Sequence, residues 1–392
     1  MSGSEVITLG CRLNLAESER IQALLAGESD IVVVNSCAVT AEAVRQTRQA
    51  IRRARRARPD ARLLVTGCAA DIERDDLAAM PEVDGLVPNT AKLDARAWNV
   101  AQRPAAAPRS LTRAFVAVQN GCDHACTFCV IPQGRGPSRS LSIPQVLREV
   151  GHHLAEGARE VVLTGVDVTS WGHDLPGNPA LGTLVRSVLD AFPGLRRLRM
   201  SSLDGVEIDP LLFELFAAEP RVMPHIHLSL QHGDDLVLKR MKRRHARADA
   251  VDLVQRLHES RPDIAVGADI IAGFPTEDEA MHRANLSLIR DLPVIHGHIF
   301  PYSPRPGTPA ARMPQVARET IRHRAGELRA AVQAVSGAWL VQQVGKPLTV
   351  LAERDGTGYA ENFARVALPQ GTVPGTIVSV TPSRVEEGLL HE

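Results

Sequence analysis

The chain has 392 residues, enough for two or three domains, and an ordinary composition apart from scarce aromatics at 3%. Its 45 Lys and Arg balance 45 Asp and Glu, so no global field points to nucleic acid, and any basic surface must be local. No apolar run reaches membrane-spanning length, and no charged and then apolar leader opens the chain. Six cysteines in that setting argue for the cytoplasm, and for metal rather than disulfides.

In chain order, residues 5–9, 31–35 and 62–66 read as strands, with helices over 15–25 and 41–58. This alternation predicts an α/β fold that opens with a doubly wound parallel sheet, over 1–104. Three cysteines lie just past the strands, in Leu9-Gly-Cys11, Asn35-Ser-Cys37 and Thr66-Gly-Cys68. The carboxyl ends of parallel strands share one edge, where ligands bind, so these cysteines are expected to converge. Three buried structural cysteines are the plainer alternative. The helix over 41–58 carries seven arginines and no acid after Glu42. Arg52, Arg53 and Arg56 on it are candidates for RNA phosphate contact; a solvated face is the alternative.

Residues 101–112 read as a Pro- and Ala-rich linker. Beyond it, strands over 114–118, 160–164, 195–200, 225–230, 264–271 and 294–300 alternate with helices near 143–156, 180–191, 209–217, 246–260, 277–291 and 315–336. Such βα units predict a central partial (β/α)6 barrel over 108–338, with its site at the carboxyl ends of the strands. The polar residues just past those strands then line its mouth. A basic run over 238–247, with Lys242 and Arg243, offers either a second RNA contact or a solvated helix face. The stretch 300–313 holds four prolines and reads as a stiff wall, not a helix or strand. Short strands over 347–353, 364–368 and 375–381 predict a small β-barrel over 340–392, whose own charge is not basic.

The first strand of the central domain leads into Cys122-Asp-His-Ala-Cys126-Thr-Phe-Cys129, and no cysteine follows. A structural zinc site wants four closed ligands, whereas a [4Fe–4S] cluster on three thiolates leaves one iron open. A zinc knuckle completed by His124 or a distant histidine is the alternative. The C-x3-C-x2-C spacing, with Phe128 before the last cysteine, resembles the radical S-adenosylmethionine superfamily. The N-terminal motifs Thr8-Leu-Gly-Cys11-Arg-Leu-Asn14, Val34-Asn-Ser-Cys37 and Val65-Thr-Gly-Cys68 narrow the resemblance to its methylthiotransferase family.

That resemblance implies two [4Fe–4S] clusters: one on Cys122, Cys126 and Cys129 that cleaves S-adenosylmethionine, and an auxiliary one on Cys11, Cys37 and Cys68 that carries sulfur. It implies two S-adenosylmethionines per turnover, an electron donor such as flavodoxin or ferredoxin, a sulfur source, and a monomer away from membranes. Gly165 and Asp167 match positions that contact the methionyl end of the cofactor, and Ser201, Ser202, Gln231 and Asp269 join them as pocket candidates. The C-terminal segment resembles the family's RNA-binding TRAM domain. Leu163-Thr-Gly-Val-Asp167 and Ser303-Pro-Arg-Pro-Gly-Thr-Pro-Ala-Ala-Arg-Met313 resemble the branch that acts on N6-threonylcarbamoyladenosine in the tRNA anticodon loop. Arg305 or Arg312 is then the expected partner of the threonylcarbamoyl carboxylate. Gln133, where the family often has an aromatic, and His232-Gly-Asp234, in place of a common Ser-Gly-Ser, depart from the pattern. Isopentenyladenosine in tRNA, or a ribosomal-protein aspartate, remains as an alternative substrate. A non-catalytic Fe–S or zinc RNA-binding protein remains as the alternative outside enzymes.

Overall fold

The computed structural model describes residues 3–100 and 112–392, and the linker expected over 101–112 lies outside the described residues apart from Thr112. Four parallel strands, β1 (Glu5–Thr8), β2 (Ile31–Ser36), β3 (Arg62–Gly67) and β4 (Gly85–Leu86), pair in sequential order. The β-branched run Ile31–Val34 suits β2, which is buried along its length. Helices α1 (Arg12–Leu24), α2 (Ala41–Ala57), α3 (Cys68–Ile72) and α4 (Arg74–Ala78) connect the strands. Helices lie on both faces. Val33 and Leu64 share a core with Ile21 and Leu25, while Val32, Val34 and Val65 share one with Val44 and Ile51. Helix α2 buries Val44, Thr47, Ile51 and Ala54 at helical spacing, so its arginines turn outward.

The central domain opens with β5 (Arg113–Ala117) and β6 (Gln119–Asn120), then the cysteine loop, α5 (Ile131–Arg135) and β7 (Arg139–Ser140). Next come α6 (Ile143–Ala155), β8 (Glu160–Thr164), α7 (Leu181–Ala191), β9 (Arg197–Met200), α8 (Pro210–Ala218) and β10 (His225–Gln231). The series ends with α9 (Asp235–Met241), α10 (Arg247–Ser260), β11 (Ala265–Ala272), α11 (Glu279–Asp291), β12 (Val294–Pro301) and α12 (Arg318–Val341). Six of these strands form two parallel sheets, β5-β8-β9 and β10-β11-β12. A parallel bridge between Leu203 and Leu228 joins the sheets. Among the described residues β12 does not pair with β5, so one side of the array stays open. Its apolar interior, from Val116 and Leu163 through Leu198 and Leu228 to Val266, packs on the surrounding helices.

Strands β13 (Leu348–Ala352), β14 (Thr357–Ala360), β15 (Arg365–Ala367), β16 (Ile377–Val380), β17 (Arg384–Glu386) and β18 (Leu389–His391) form a mixed sheet in the order β16-β13-β14-β15-β18-β17. Helix α12 runs past the expected boundary at 338–340 and gives Leu340 to the core of this sheet. The sheet docks on the amino ends of the central strands. There Glu160, fully buried, holds Arg197 and Arg199 at 2.8 and 2.9 Å. Arg197 donates onward to the Thr349 and Tyr359 carbonyls, and Arg199 to that of Ala360.

Candidate active site

The N-terminal cysteines converge as expected. Cys11 caps the start of α1, Cys37 follows β2, and Cys68 begins α3. Two glycines make the approach possible. A Cβ at Gly10 (φ 93°) would lie 2.7 Å from Cys37 Cβ, and one at Gly67 (φ 88°) only 2.3 Å from the Ser36 carbonyl oxygen. Asn14 Nδ2 donates to the Leu9 and Ser36 carbonyls at 2.7 and 2.9 Å, tying the first cysteine loop to the second. Ser36 Oγ donates to the Thr66 carbonyl and accepts from the Ala69 amide, which ties the second loop to the third.

The second triad sits at the carboxyl end of the central strands. The amides of His124 and Ile131 point at the sulfurs of Cys122 and Cys129, each at 3.4 Å. Thr127 fixes the loop from both sides: its amide and hydroxyl donate to the Met241 and Arg240 carbonyls, and its carbonyl accepts from Ala310 of the Pro-rich stretch. His124 Nε2 lies 2.6 Å from Asp167 Oδ2. Possible ligand atoms gather around His124 in two groups, one with Cys122 and Asp167 and one with Asp204 and Glu207.

A buried ion network locks the two triads together. Glu17 of α1 meets Arg135 of α5 at 2.9 Å and Lys92 at 2.5 Å. Arg135 also donates to Asn14 Oδ1 and Asn120 Oδ1. Burial works to raise the Glu17 pKa, but the charges of Lys92 and Arg135 outweigh it and hold the carboxylate ionised. Asn89 bridges as well, donating to the Gly134 carbonyl while its Nδ2 lies 3.8 Å from Cys68 Sγ.

All six cysteines line one cavity of about 1570 Å³. It runs from the cysteines, at the carboxyl ends of the strands, to Phe363 of the C-terminal sheet at their amino ends. Burial pushes the Cys37 and Cys129 thiols up to about 11 and Cys122 up to about 12. Such thiols stay neutral at ordinary pH unless a cationic centre stabilises the thiolate. Two sets of three soft donors, each lacking a fourth cysteine, fit iron–sulfur clusters with one open iron apiece.

Phe128, Gly165, Asp167, Ser201, Ser202, Gln231 and Asp269 all line this cavity. Asp167 and Val166 donate their amides to Gln119 Oε1, which shapes the turn after β8. Asp269 Oδ1 accepts from His227 at 3.1 Å and His298 at 3.0 Å.

The cationic candidates sort differently. Arg52, Arg53 and Arg56 lie on α2 away from the cavity, and acids from 73–84 neutralise much of that face: Arg48 pairs with Asp76, Arg52 with Glu82 and Arg55 with Asp84. Lys242 is exposed at the end of α9, in left-handed backbone. Arg243 turns inward instead of joining a basic face. It pairs with Asp204 at 3.0 Å, and its Nη1 lies 3.8 Å from Cys126 Sγ. Arg305 is buried and paired with Glu73 at 2.7 Å, so it pins the Pro-rich stretch to the N-terminal domain; neither it nor the exposed Arg312 lines the cavity. The sequence reading missed Glu17, Lys92 and Asp204. Each is an ordinary charged residue until its distant partner is known.

Comparison with known proteins agrees with this geometry. Residues 116–289 match the radical SAM superfamily, and residues 4–88 match a family described as uncharacterized protein family UPF0004. The chain is 42% identical to the threonylcarbamoyladenosine tRNA methylthiotransferase MtaB of Rickettsia prowazekii, over 98% of this chain and 96% of that one. This chain belongs to the radical S-adenosylmethionine methylthiotransferase family. A second relative, the tRNA-2-methylthio-N(6)-dimethylallyladenosine synthase of Anaeromyxobacter dehalogenans, is 34% identical over 92% of this chain and 85% of its own length. Among solved structures, the radical S-adenosylmethionine methyltransferase TsrM of Kitasatospora setae aligns with a TM-score of 0.56 at 16% identity, covering 79% of this chain and 77% of that one. That likeness speaks to the fold alone. As a methylthiotransferase the chain is an enzyme that transfers sulfur-containing groups, and the radical SAM domain implies a [4Fe–4S] cluster and S-adenosylmethionine. No described helix is long and apolar enough to cross a membrane.

Proposed function

We propose that this enzyme methylthiolates C2 of N6-threonylcarbamoyladenosine at position 37 of tRNA. One observation carries the reading: two separate cysteine triads, locked by Glu17 and Arg135, face the same cavity. The likeness to MtaB over nearly the whole chain supports the branch. In this reading Cys122, Cys126 and Cys129 hold one [4Fe–4S] cluster, and Cys11, Cys37 and Cys68 hold a second. When bound, the clusters supply the reductive cleavage of S-adenosylmethionine to a hydrogen-abstracting 5′-deoxyadenosyl radical and the sulfur that is inserted.

The protein's own task is to position and to exclude water. Gly165 and Asp167 orient the methionyl end of the cofactor, and Ser201, Ser202, Gln231 and Asp269 line the same cavity. Phe128, packed edge-on to Phe274 with ring centroids 6.4 Å apart, screens the cysteine loop from water. The Glu17–Arg135 lock fixes how far the target carbon travels between the two triads. The tRNA presents its anticodon loop with the base splayed out, the way single-stranded RNA is read. A flavodoxin or ferredoxin and a sulfur donor complete the turnover, two S-adenosylmethionines are used, and the enzyme works as a cytoplasmic monomer.

The test is a comparison of the wild type with a Cys11→Ala, Cys37→Ala, Cys68→Ala variant. The variant should cleave S-adenosylmethionine to 5′-deoxyadenosine yet give no 2-methylthio nucleoside by mass spectrometry. Full product from the variant, or turnover by the wild type of isopentenyladenosine tRNA only, would overturn the reading.

A further inference from the structure

Among the described residues, five arginines and no lysine line the cavity. Four are already paired: Arg113 with Glu353, Arg135 with Glu17, Arg199 with Glu160 and Arg243 with Asp204. Arg12 has no acidic partner within ion-pair distance among the described residues. Its guanidinium lies 5.1 Å from the centre of the Phe115 ring, halfway along β5, and Arg113 faces the same ring at 5.9 Å.

The floor beneath holds more guanidinium groups than carboxylates, although one oxygen each of Glu160 and Glu353 there also lacks a hydrogen-bond partner. Arg12, Arg113, Arg197 and Arg199 gather there against two carboxylates, Glu160 and Glu353. Arg199 is only 3% exposed, yet its Nη1 has no hydrogen-bond partner. The Nε2 atoms of His225 and His296 on the same floor also lack one. Phe363 stacks on His225, with ring centroids 4.5 Å apart, and closes the floor with apolar surface. Four guanidiniums against two carboxylates leave a net positive charge beside the exposed Arg12, which an anionic oxygen would balance.

We propose that Arg12, above the Arg199–His225–His296 floor, receives the carboxylate of the substrate's threonyl side chain. This rests on the threonylcarbamoyladenosine reading and gives that branch its specificity-determining residue, a role that neither Arg305 nor Arg312 fills. Arg12 adjoins Cys11, so a carboxylate held there keeps the attached base beside the N-terminal triad. An uncharged isopentenyl group leaves Arg12 and the floor donors unpaired, and a site built for a polar group rejects the analogue that lacks it.

The test uses two anticodon stem-loop RNAs, one with threonylcarbamoyladenosine and one with its carboxylate converted to the methylamide. Wild-type holoenzyme should bind the acid at least about tenfold more tightly than the amide, the scale of one charged hydrogen-bonded contact. Arg12→Gln should weaken the acid to the level of the amide and leave the amide unchanged, with Arg12→Lys in between. Equilibrium binding without S-adenosylmethionine is the readout, so altered iron loading beside Cys11 does not mask the result. Equal weakening of both RNAs would make Arg12 a backbone contact and overturn the proposal. Intact discrimination in Arg12→Gln would overturn it as well. If wild-type enzyme turns over neither RNA but accepts the isopentenyl form, the branch reading fails and the carboxylate pocket with it.

Discussion

Arg135 Nη1 lies 2.9 Å from Glu17 Oε1, with both side chains 2% exposed, and this contact joins the N-terminal domain to the central one. Lys92 shares the same carboxylate. A lone glutamate thus balances two buried cations. Glu17→Gln should therefore cost about 3–5 kcal/mol, the usual penalty for leaving a buried charge uncompensated. Replacing Glu17, Lys92 and Arg135 together by Met should cost less, because no charge is then stranded. Urea unfolding midpoints of the two variants decide the order; a triple variant weaker than Glu17→Gln would contradict this account.

Asp204 gives a pH dependence. Burial pushes its carboxyl up, but His245 and the charges of Arg243 and Arg244 outweigh this and hold it down, to about 2 from an ordinary 3.8. A depressed folded-state pKa contributes stability above the unfolded value and loses it as pH falls through the folded one. The window is therefore about pH 4 to pH 2, and the contribution is about 2 kcal/mol. Asp204→Asn should be less stable than wild type at pH 7, with the gap narrowing as pH drops through that window. A gap that stays constant down to pH 2 would show that the pairing carries no such linkage.

Gly67 tests the N-terminal triad without touching a sulfur. Its φ of 88° and the 2.3 Å between a built Cβ and the Ser36 carbonyl oxygen leave no room for a side chain. Gly67→Ala should displace Cys68 and lower iron content by about half from the roughly eight atoms expected of two [4Fe–4S] clusters. Cleavage of S-adenosylmethionine should persist, since the Cys122 loop hangs from Met241 and Ala310 rather than from β3. Full iron content in this variant would separate Cys68 from cluster binding.

The exposed face of α2 is less cationic than its sequence. Arg52 has Glu82 at 3.8 Å, whereas Arg53 and Arg56 pair with no acid among the described residues. Each lost phosphate contact lowers the slope of log affinity against log salt by a little under about one unit. Arg53→Glu and Arg56→Glu should each flatten the salt dependence of tRNA binding more than Arg52→Glu does. Identical slopes for all three, and for wild type, would remove α2 from the RNA interface.

The sequence alone marked most of the long strands and helices and the six candidate sulfur donors, but not the short elements β4, β6, β7, α3, α4, α5 and α9. Strand and helix periods are local properties, and glycine or serine directly before Cys11, Cys37 and Cys68 marked three strand ends whose parallel pairing forces convergence. Spacing within eight residues likewise singled out Cys122, Cys126 and Cys129 as a second triad. Tertiary structure alone decided what the charges do. Seven arginines on one helix read as an open basic face, until the acids of 73–84 folded against it. Arg305 looked free to meet a substrate until Glu73, 232 residues away in the chain, closed on it. Arg12 looked unremarkable until each of the other cavity arginines proved to be paired with a carboxylate. The physical reason is range. Backbone preference and hydrophobic period act over a few residues, whereas an ion pair depends on distance in space, which the chain order of its partners does not set.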